Sequence, residues 1–312
     1  MRKVGLPTVA ALAIAIVAVS ASAPLIAFAA APALAIAFWR NAIGAAALAP
    51  AALTRRRVQL RDLLRPGAGR RTLAVTVLSG VCLAVHFGTW VPSAKLTSVA
   101  MSVALVSTAP VWTAVVAAAR GIRVSAGTWA GIGIAVAGVA LATGTDPHLS
   151  GRALLGDALA LTGGIAAAAY TLLGERARAS LATTVYASLC YATCAALLLV
   201  ACLAAGAELW GYDGRTVLAI VAMTLGPQLL GHTLVNYSLH RVSATTVAVL
   251  LLLEVPGALV IAWLLLGQLP AARTVPGIAV LLAGVAVVVL DGRRRQPTKG
   301  GTIISPEAIG TT

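Results

Sequence analysis

The sequence has few charged residues. Lys, Arg, Asp and Glu make up only 10% of the 312 residues, whereas a soluble domain carries about 25%. Because 60% of the residues are apolar, the chain has too little polar surface to cover a globule in water. The composition therefore excludes an ordinary soluble domain and predicts an all-α integral membrane protein surrounded by membrane lipid.

Catalytic and metal-binding motifs are also lacking. The four cysteines lie inside apolar runs without the spacing of metal ligands. There is no glycine-rich phosphate loop, no serine-centred elbow and no His-Glu-x-x-His pattern. His86 and His232 are rejected as a metal site because no third or fourth ligand is suitably spaced. We therefore expect no enzymatic activity, no cofactor and no metal.

What the sequence has instead is long apolar runs. About 20 apolar residues form a helix that crosses the ~30 Å hydrocarbon layer. Pro32 separates the first two runs, because a proline cannot continue the helix that precedes it. The runs predict ten spans, at about 6–28, 32–53, 72–93, 97–119, 126–144, 153–174, 182–205, 214–239, 243–267 and 273–291.

The distribution of Lys and Arg predicts the orientation of these spans. With a cytoplasmic N-terminus, eighteen of the 23 basic residues fall on the inner side and four on the outer side, and Arg40 lies within the second span. This bias predicts a multi-pass protein of the cell (inner) membrane with both termini in the cytoplasm. It also accounts for the net charge of +14, so we do not expect nucleic acid as a partner.

The two halves of the chain match each other at a shift of 146 residues. The matched pairs include His86 with His232, Pro110 with Pro256, Gly131 with Gly277 and Gly138 with Gly284. We divide the chain into a first repeat (1–145), a second repeat (153–291) and a disordered cytoplasmic tail (292–312). Each repeat holds five spans, an odd number, so the two repeats are predicted to cross the membrane in opposite directions. Inverted repeats are typical of secondary transporters.

The start of the chain has a second interpretation. Arg2 and Lys3, the apolar run after them and Ala21-Ser22-Ala23 are similar to a signal peptide. The run also has a counterpart at the start of the second repeat, which favours a retained span.

Several short motifs resemble one family of membrane proteins. They are Phe38-Trp39-Arg40-Asn41 in the second span, Gly156-Asp157 at the start of the second repeat, and Leu253-Glu254-Val255-Pro256 in the ninth span. Together with the glycine-spaced helix that closes each repeat, they resemble the EamA-type transporters of the drug/metabolite transporter superfamily over about residues 8–291. The resemblance implies ten helices, no cofactor and transport of a small metabolite, commonly export.

Polar side chains inside the spans are the candidates for a solute site, because ionisable groups there are costly and normally face the protein interior or water. Glu254 is the only carboxylate near the middle of a span. It is either a proton-coupling or cation-binding group, or a neutral side chain that is hydrogen-bonded between helices. Pro110 and Pro256 are the candidate helix breaks or gates. The predicted cavity residues are His86, Trp90, Tyr170, Gln228, His232, Asn236 and Glu254.

A polar series on the eighth span supports this choice. Thr224, Gln228, His232 and Asn236 recur every four residues and are predicted to share one helical face. The series either lines a cavity or links helices by hydrogen bonds. Arg40 is predicted to be structural and to reach toward the outer surface.

The sequence favours a secondary transporter that exports a small, amino-acid-like metabolite by alternating access. Two other functions remain open, a broad drug efflux protein and a non-transporting membrane partner subunit. A small-molecule solute and membrane lipid are the expected partners, and a homodimer is possible.

Overall fold

The computed structural model describes residues 5–65, 67–97, 99–143, 150–267 and 274–294. Within these ranges all regular secondary structure is helical. In chain order the helices are α1 (Leu6–Ser20), α2 (Ser22–Phe28), α3 (Ala33–Arg55), α4 (Arg57–Leu64), α5 (Ala68–Leu96), α6 (Val99–Val106), α7 (Ala109–Ala119), α8 (Ala126–Thr143), α9 (Gly151–Arg178), α10 (Thr183–Ala204), α11 (Gly214–Met223), a π-helix (Thr224–His232), α12 (Thr233–Ser238), α13 (Ala244–Leu251), α14 (Glu254–Leu266) and α15 (Thr274–Arg294).

These helices form eight segments that are long and apolar enough to cross a membrane. Two shorter apolar stretches, Ala126–Leu141 in α8 and Val275–Asp291 in α15, occupy the positions of the remaining two predicted spans. The break at Pro32 is confirmed, since α2 ends at Phe28 and α3 begins at Ala33. The structure therefore shows a multi-pass helical membrane protein, and the number ten stays a prediction.

Two details differ from the sequence prediction. The basic loop after α3 contains an additional short helix, α4, which lies outside the apolar runs and was not predicted. The last helix continues to Arg294, so residues 292–294 are helical and do not belong to the predicted tail. The rest of that tail, 295–312, lies outside the described residues.

Two apolar spans are broken near a proline. The fourth span divides at Ser107 and Thr108, and Pro110 is the second residue of the helix that follows. The ninth span divides at Leu252 and Leu253, shortly before Pro256. Proline has no N–H to donate to the carbonyl four residues earlier, so each helix is interrupted one turn before its proline.

The eighth span contains a π-helix, and this corrects the predicted polar face. Pro227 lies inside Thr224–His232, where its missing N–H removes an α-helical hydrogen bond. Because π-helical bonds join residues five apart, the turn is wider than that of an α-helix. Residues spaced by four therefore no longer lie above one another, and the four polar side chains have different surroundings.

The helix pairs that pack on each other are equivalent in the two halves of the chain. The first span, α1 with α2, packs against the eighth, and α5 packs against α9. In addition, α3 packs against α10 and α8 against α15. Exchanging each helix with its counterpart in the other half reproduces the same pairs. The arrangement leaves a space at the centre between the first, third, fourth, sixth, eighth and ninth spans.

Candidate functional site

The central space is a cavity of about 100 Å³. This volume holds several water molecules. Both broken spans contribute to its wall, through Val106 beside the first break and Leu252 at the second. The wall also contains an unusual number of polar side chains for the middle of an apolar bundle. They are Ser22, His86, Trp90, Ser107, Tyr170, Thr171, His232 and Glu254.

The structure brings together most of the candidates predicted from sequence. The cavity wall includes His86, Trp90, Tyr170, His232, Glu254 and Pro110. The wall does not include Gln228, Asn236 or Pro256. Asn236 lies behind the wall, where its Oδ1 accepts a hydrogen bond from the Tyr170 hydroxyl at 2.8 Å. It is therefore placed to hold Tyr170.

His86 has a defined orientation in the wall. Its Nδ1 lies 2.9 Å from the carbonyl oxygen of Gly163, and a carbonyl only accepts, so Nδ1 carries the hydrogen. In the neutral ring Nε2 is then a hydrogen-bond acceptor. The ring stacks on Trp90 at 5.6 Å between centroids. Gly163 allows α9 to lie this close to α5, because a Cβ at Gly163 would lie 3.0 Å from Cβ of Trp90.

His232 lies on the other side of Phe87, in the second repeat. Its ring centroid is 5.4 Å from that of Phe87 in an edge-on arrangement and 6.3 Å from that of Tyr170. Neither ring nitrogen has a hydrogen-bonding partner among the described residues. His232 therefore presents free polar atoms to the cavity, although its matched residue His86 uses one nitrogen to fix its ring.

Among the described residues, Glu254 is the only carboxylate in the cavity wall. It is the first residue of α14, directly after the break in the ninth span. It also borders a smaller adjoining space that includes Trp90 and Ala258. Its carboxyl group has no hydrogen-bonding partner within the described ranges, so it is available to a solute, to water or to a proton.

Arg40 was expected near the outer surface, and the structure places it in the protein core. Its side chain has no exposed area. Its Nε donates to Oε1 of Gln228 at 3.1 Å and its Nη1 donates to Oγ of Ser22 at 3.1 Å. The guanidinium also lies over the ring of Phe87, 4.1 Å from the centroid. Arg40 is therefore a candidate functional residue, although the sequence alone predicted a structural role for it.

Gln228 is the main polar partner of Arg40. It is fully buried, and its Nε2 donates to Oδ1 of Asn41 at 2.9 Å. Gln228 therefore links two neighbouring residues of α3, and does not line the cavity as predicted from sequence. The sequence signal was present in Arg40 and Asn41, two polar residues within an apolar span, but their partner could not be identified from spacing.

Among the described residues, the cysteines, histidines and acidic residues do not form a metal centre. No group of three or more of these residues could hold a metal ion in the part of the chain that the structure describes. The cavity is therefore a site of hydrogen bonds, aromatic surfaces and isolated charges.

Comparisons with known proteins agree with this architecture. A crystal structure of another protein has a TM-score of 0.75 with this chain at 22% sequence identity, over 92% of this chain and 99% of the other. That likeness establishes a shared fold. No curated protein matches the chain. The sequence itself matches the EamA-like transporter family over residues 6–144 and again over 154–290, which confirms the resemblance. The chain therefore belongs to the EamA-like transporter family.

Proposed function

We propose that this protein is a secondary transporter that exports a small metabolite across the cell membrane by alternating access. The observation that carries the proposal is the central cavity, whose wall includes the two matched helix breaks. Discontinuous helices near the middle of the membrane, one from each repeat, are the usual solute site of inverted-repeat transporters. Membership of the family supports transport activity in general, and the cavity supports this location for the solute.

Ten crossings and an inverted arrangement are part of this proposal. Helix α8 has 18 residues and α15 has 21, which correspond to about 27 and 32 Å at 1.5 Å per residue. Both lengths suit a crossing, and α8 and α15 pack on each other. Five crossings per repeat then require opposite directions. The matched helix pairs described above support a pseudo-two-fold relation between the repeats.

Matched closures at the two ends of the bundle also support alternating access. At the end of α5, Nζ of Lys95 donates to the carbonyls of Ala29 at 3.0 Å and Ala31 at 2.8 Å. At the end of α12, Nδ1 of His240 donates to the carbonyl of Arg178 at 3.0 Å. These contacts join equivalent helix ends in the two repeats. In an inverted topology they lie at opposite membrane surfaces.

The topology is testable by labelling single cysteines in a cysteine-free background. We expect Lys95→Cys, at the exposed end of α5, to react with a membrane-impermeant maleimide added outside spheroplasts. Arg123→Cys, after α7, is expected to react only after permeabilisation, because one crossing separates the two positions. Accessibility of both positions from the same side would contradict the inverted repeat.

Transport is testable by comparing the medium around cells that produce the native protein or Glu254→Gln. We expect a metabolite that the native protein enriches outside to fall by roughly tenfold with the variant, the change that about 1.4 kcal/mol produces. The physical reason is that the amide neither takes up a proton nor pairs with a cation. Both proteins must be present in the membrane in equal amounts.

A matched control is Glu208→Gln, which makes the same chemical change in a loop outside the cavity. It should keep native enrichment. Enrichment by Glu254→Gln equal to the native protein would leave an exporter and assign Glu254 to structure. If the native protein enriches nothing under several growth conditions, the protein is an importer or a non-transporting subunit.

The size of the cavity favours a small metabolite over broad drug efflux. Sites for drug-sized ligands usually enclose about 300–1,000 Å³, whereas this cavity encloses about 100 Å³. A drug efflux protein would instead move several dissimilar aromatic cations, and the same medium analysis would detect them.

A further inference from the structure

The charge of Arg40 has no counter-ion in the described structure. The one ion pair among the described residues joins Arg65 and Asp62 on the protein surface. Glu254 is not the counter-ion, because it forms no ion pair with Arg40 among the described residues. The Nη2 nitrogen of Arg40 is also buried without a hydrogen-bonding partner among the described residues. An uncompensated buried cation is costly and is normally found paired.

Ser22 connects this charge to the cavity. Its hydroxyl accepts from Nη1 of Arg40 and also forms part of the cavity wall. A hydroxyl that accepts a hydrogen bond still has its own hydrogen to donate, and no described residue receives it. A donor polarised by a guanidinium binds most strongly to an anion. Through its hydroxyl hydrogen, Ser22 therefore extends the influence of the buried charge to a solute in the cavity.

Further groups in the same wall also lack partners. Nε1 of Trp90 and Oγ of Ser107 are buried without hydrogen-bonding partners among the described residues, and both residues line the cavity. The indole N–H can only donate. Both atoms have almost no accessible area, so each side chain has to turn toward the cavity to meet a solute. Since buried polar groups are rarely left unpaired, the wall is suited to a solute that brings hydrogen-bond acceptors. Together with one unbalanced positive charge, these donors fit an anionic group, provided that Glu254, the carboxyl group in the same wall, carries a proton.

We propose that the cavity selects solutes that carry a carboxylate, which Ser22 binds directly with Trp90 and Ser107 as further donors and Arg40 as the balancing charge. The inference rests on the proposed function where it concerns transport. Binding of a carboxylate at this site does not itself require that the protein transports the solute. A carboxylate fits better than a phosphate dianion, because one guanidinium balances one negative charge. The group is small enough for this cavity and leaves the rest of the solute to the aromatic and apolar wall.

Thermal unfolding of the purified full-length protein in nanodiscs tests the site with matched small probes. Propionate and propionamide have nearly the same shape and differ in charge, and they are compared at equal concentration, neutral pH and constant ionic strength. A ligand that binds only the folded protein raises the unfolding temperature. We expect a larger rise with propionate than with propionamide, and we expect Ser22→Ala and Arg40→Met each to remove the difference.

Ser188→Ala is the matched control, since Ser188 is also a buried serine without a hydrogen-bonding partner among the described residues but lies outside the cavity wall. It should keep the native difference. Equal rises with both probes, including none with either, would overturn the inference, as would a difference that persists in Ser22→Ala and in Arg40→Met. Should either of these two variants fail to fold, the other decides. A carboxylate-specific rise without any exported metabolite would keep the site and reject the transport function, whereas exported metabolites without a carboxylate would do the reverse.

Discussion

Gly138→Val is expected to abolish the packing of α8 against α15 and to cause a large loss of stability. A Cβ at Gly138 would lie 2.2 Å from the backbone nitrogen of Leu281 and 2.6 Å from its Cα. Because these are backbone atoms of the facing helix, no side-chain rotation relieves the overlap. Overpacking of a core costs about 1–3 kcal/mol and sometimes more. We expect a loss above this range, measured as a fall in unfolding temperature and in monodisperse protein.

The same helix provides the control for this prediction. Gly133 has no atom within 4 Å of an added Cβ, so Gly133→Val makes an identical change on an open face of α8. Its effect is expected to stay within about 0.5 kcal/mol, as for most surface substitutions. Gly284→Val, from the other side of the contact, should be as harmful as Gly138→Val, because its Cβ would lie 2.3 Å from the backbone nitrogen of Ala135. Native-like unfolding of Gly138→Val would show that the two helices do not cross at these glycines.

The predicted features that the structure reproduces depend on local rules. A proline removes the helical hydrogen bond to the carbonyl four residues earlier, so Pro32, Pro110 and Pro256 could be placed at breaks from the sequence, although α3 and α5 continue through Pro50 and Pro92. Glycines seven residues apart share one helical face, so a glycine pair such as Gly131 and Gly138, or Gly277 and Gly284, is typical of a packing seam on its own helix. The structure adds that the two seams pack on each other. Each of the inferences from sequence required only residues near in sequence.

The features that sequence reasoning misplaced depend on partners distant in sequence. Arg40 was expected near the outer surface because an isolated charge can reach the membrane interface. The structure instead buries it and joins it by a hydrogen bond to Gln228, which is 188 residues away. The π-helix in the eighth span turns Gln228 away from the cavity, and no four-residue spacing could show this. The match between the two halves therefore allows the sequence to predict that His86 and His232 line the cavity, but it does not predict this for Ser22.

The buried pair of Arg40 and Gln228 gives the second large expected effect. We expect Gln228→Leu to lower the free energy of unfolding by about 1.5–3 kcal/mol, the usual contribution of a hydrogen bond to a charged group. The leucine is close in size to the glutamine, so the loss comes from the guanidinium, whose Nε would have no acceptor, and from Oδ1 of Asn41, which would have no donor. Adding Arg40→Met removes the charge itself, and the double variant is therefore expected to be more stable than Gln228→Leu alone. Chemical unfolding of the four proteins in the same detergent measures the coupling.

A pair of substitutions at two sites that do not contact each other is the control for this coupling. Gln59 also makes two hydrogen bonds, to the backbone of Ser180 and Ala182, but it does not contact Arg40. Gln59→Leu combined with Arg40→Met should be additive within about 0.5 kcal/mol, as for separate sites. If Gln228→Leu and Arg40→Met were additive as well, water or lipid would be satisfying the guanidinium in the single variant. The positive charge would then be less isolated than its surroundings indicate, and the cavity would have less reason to prefer an anion.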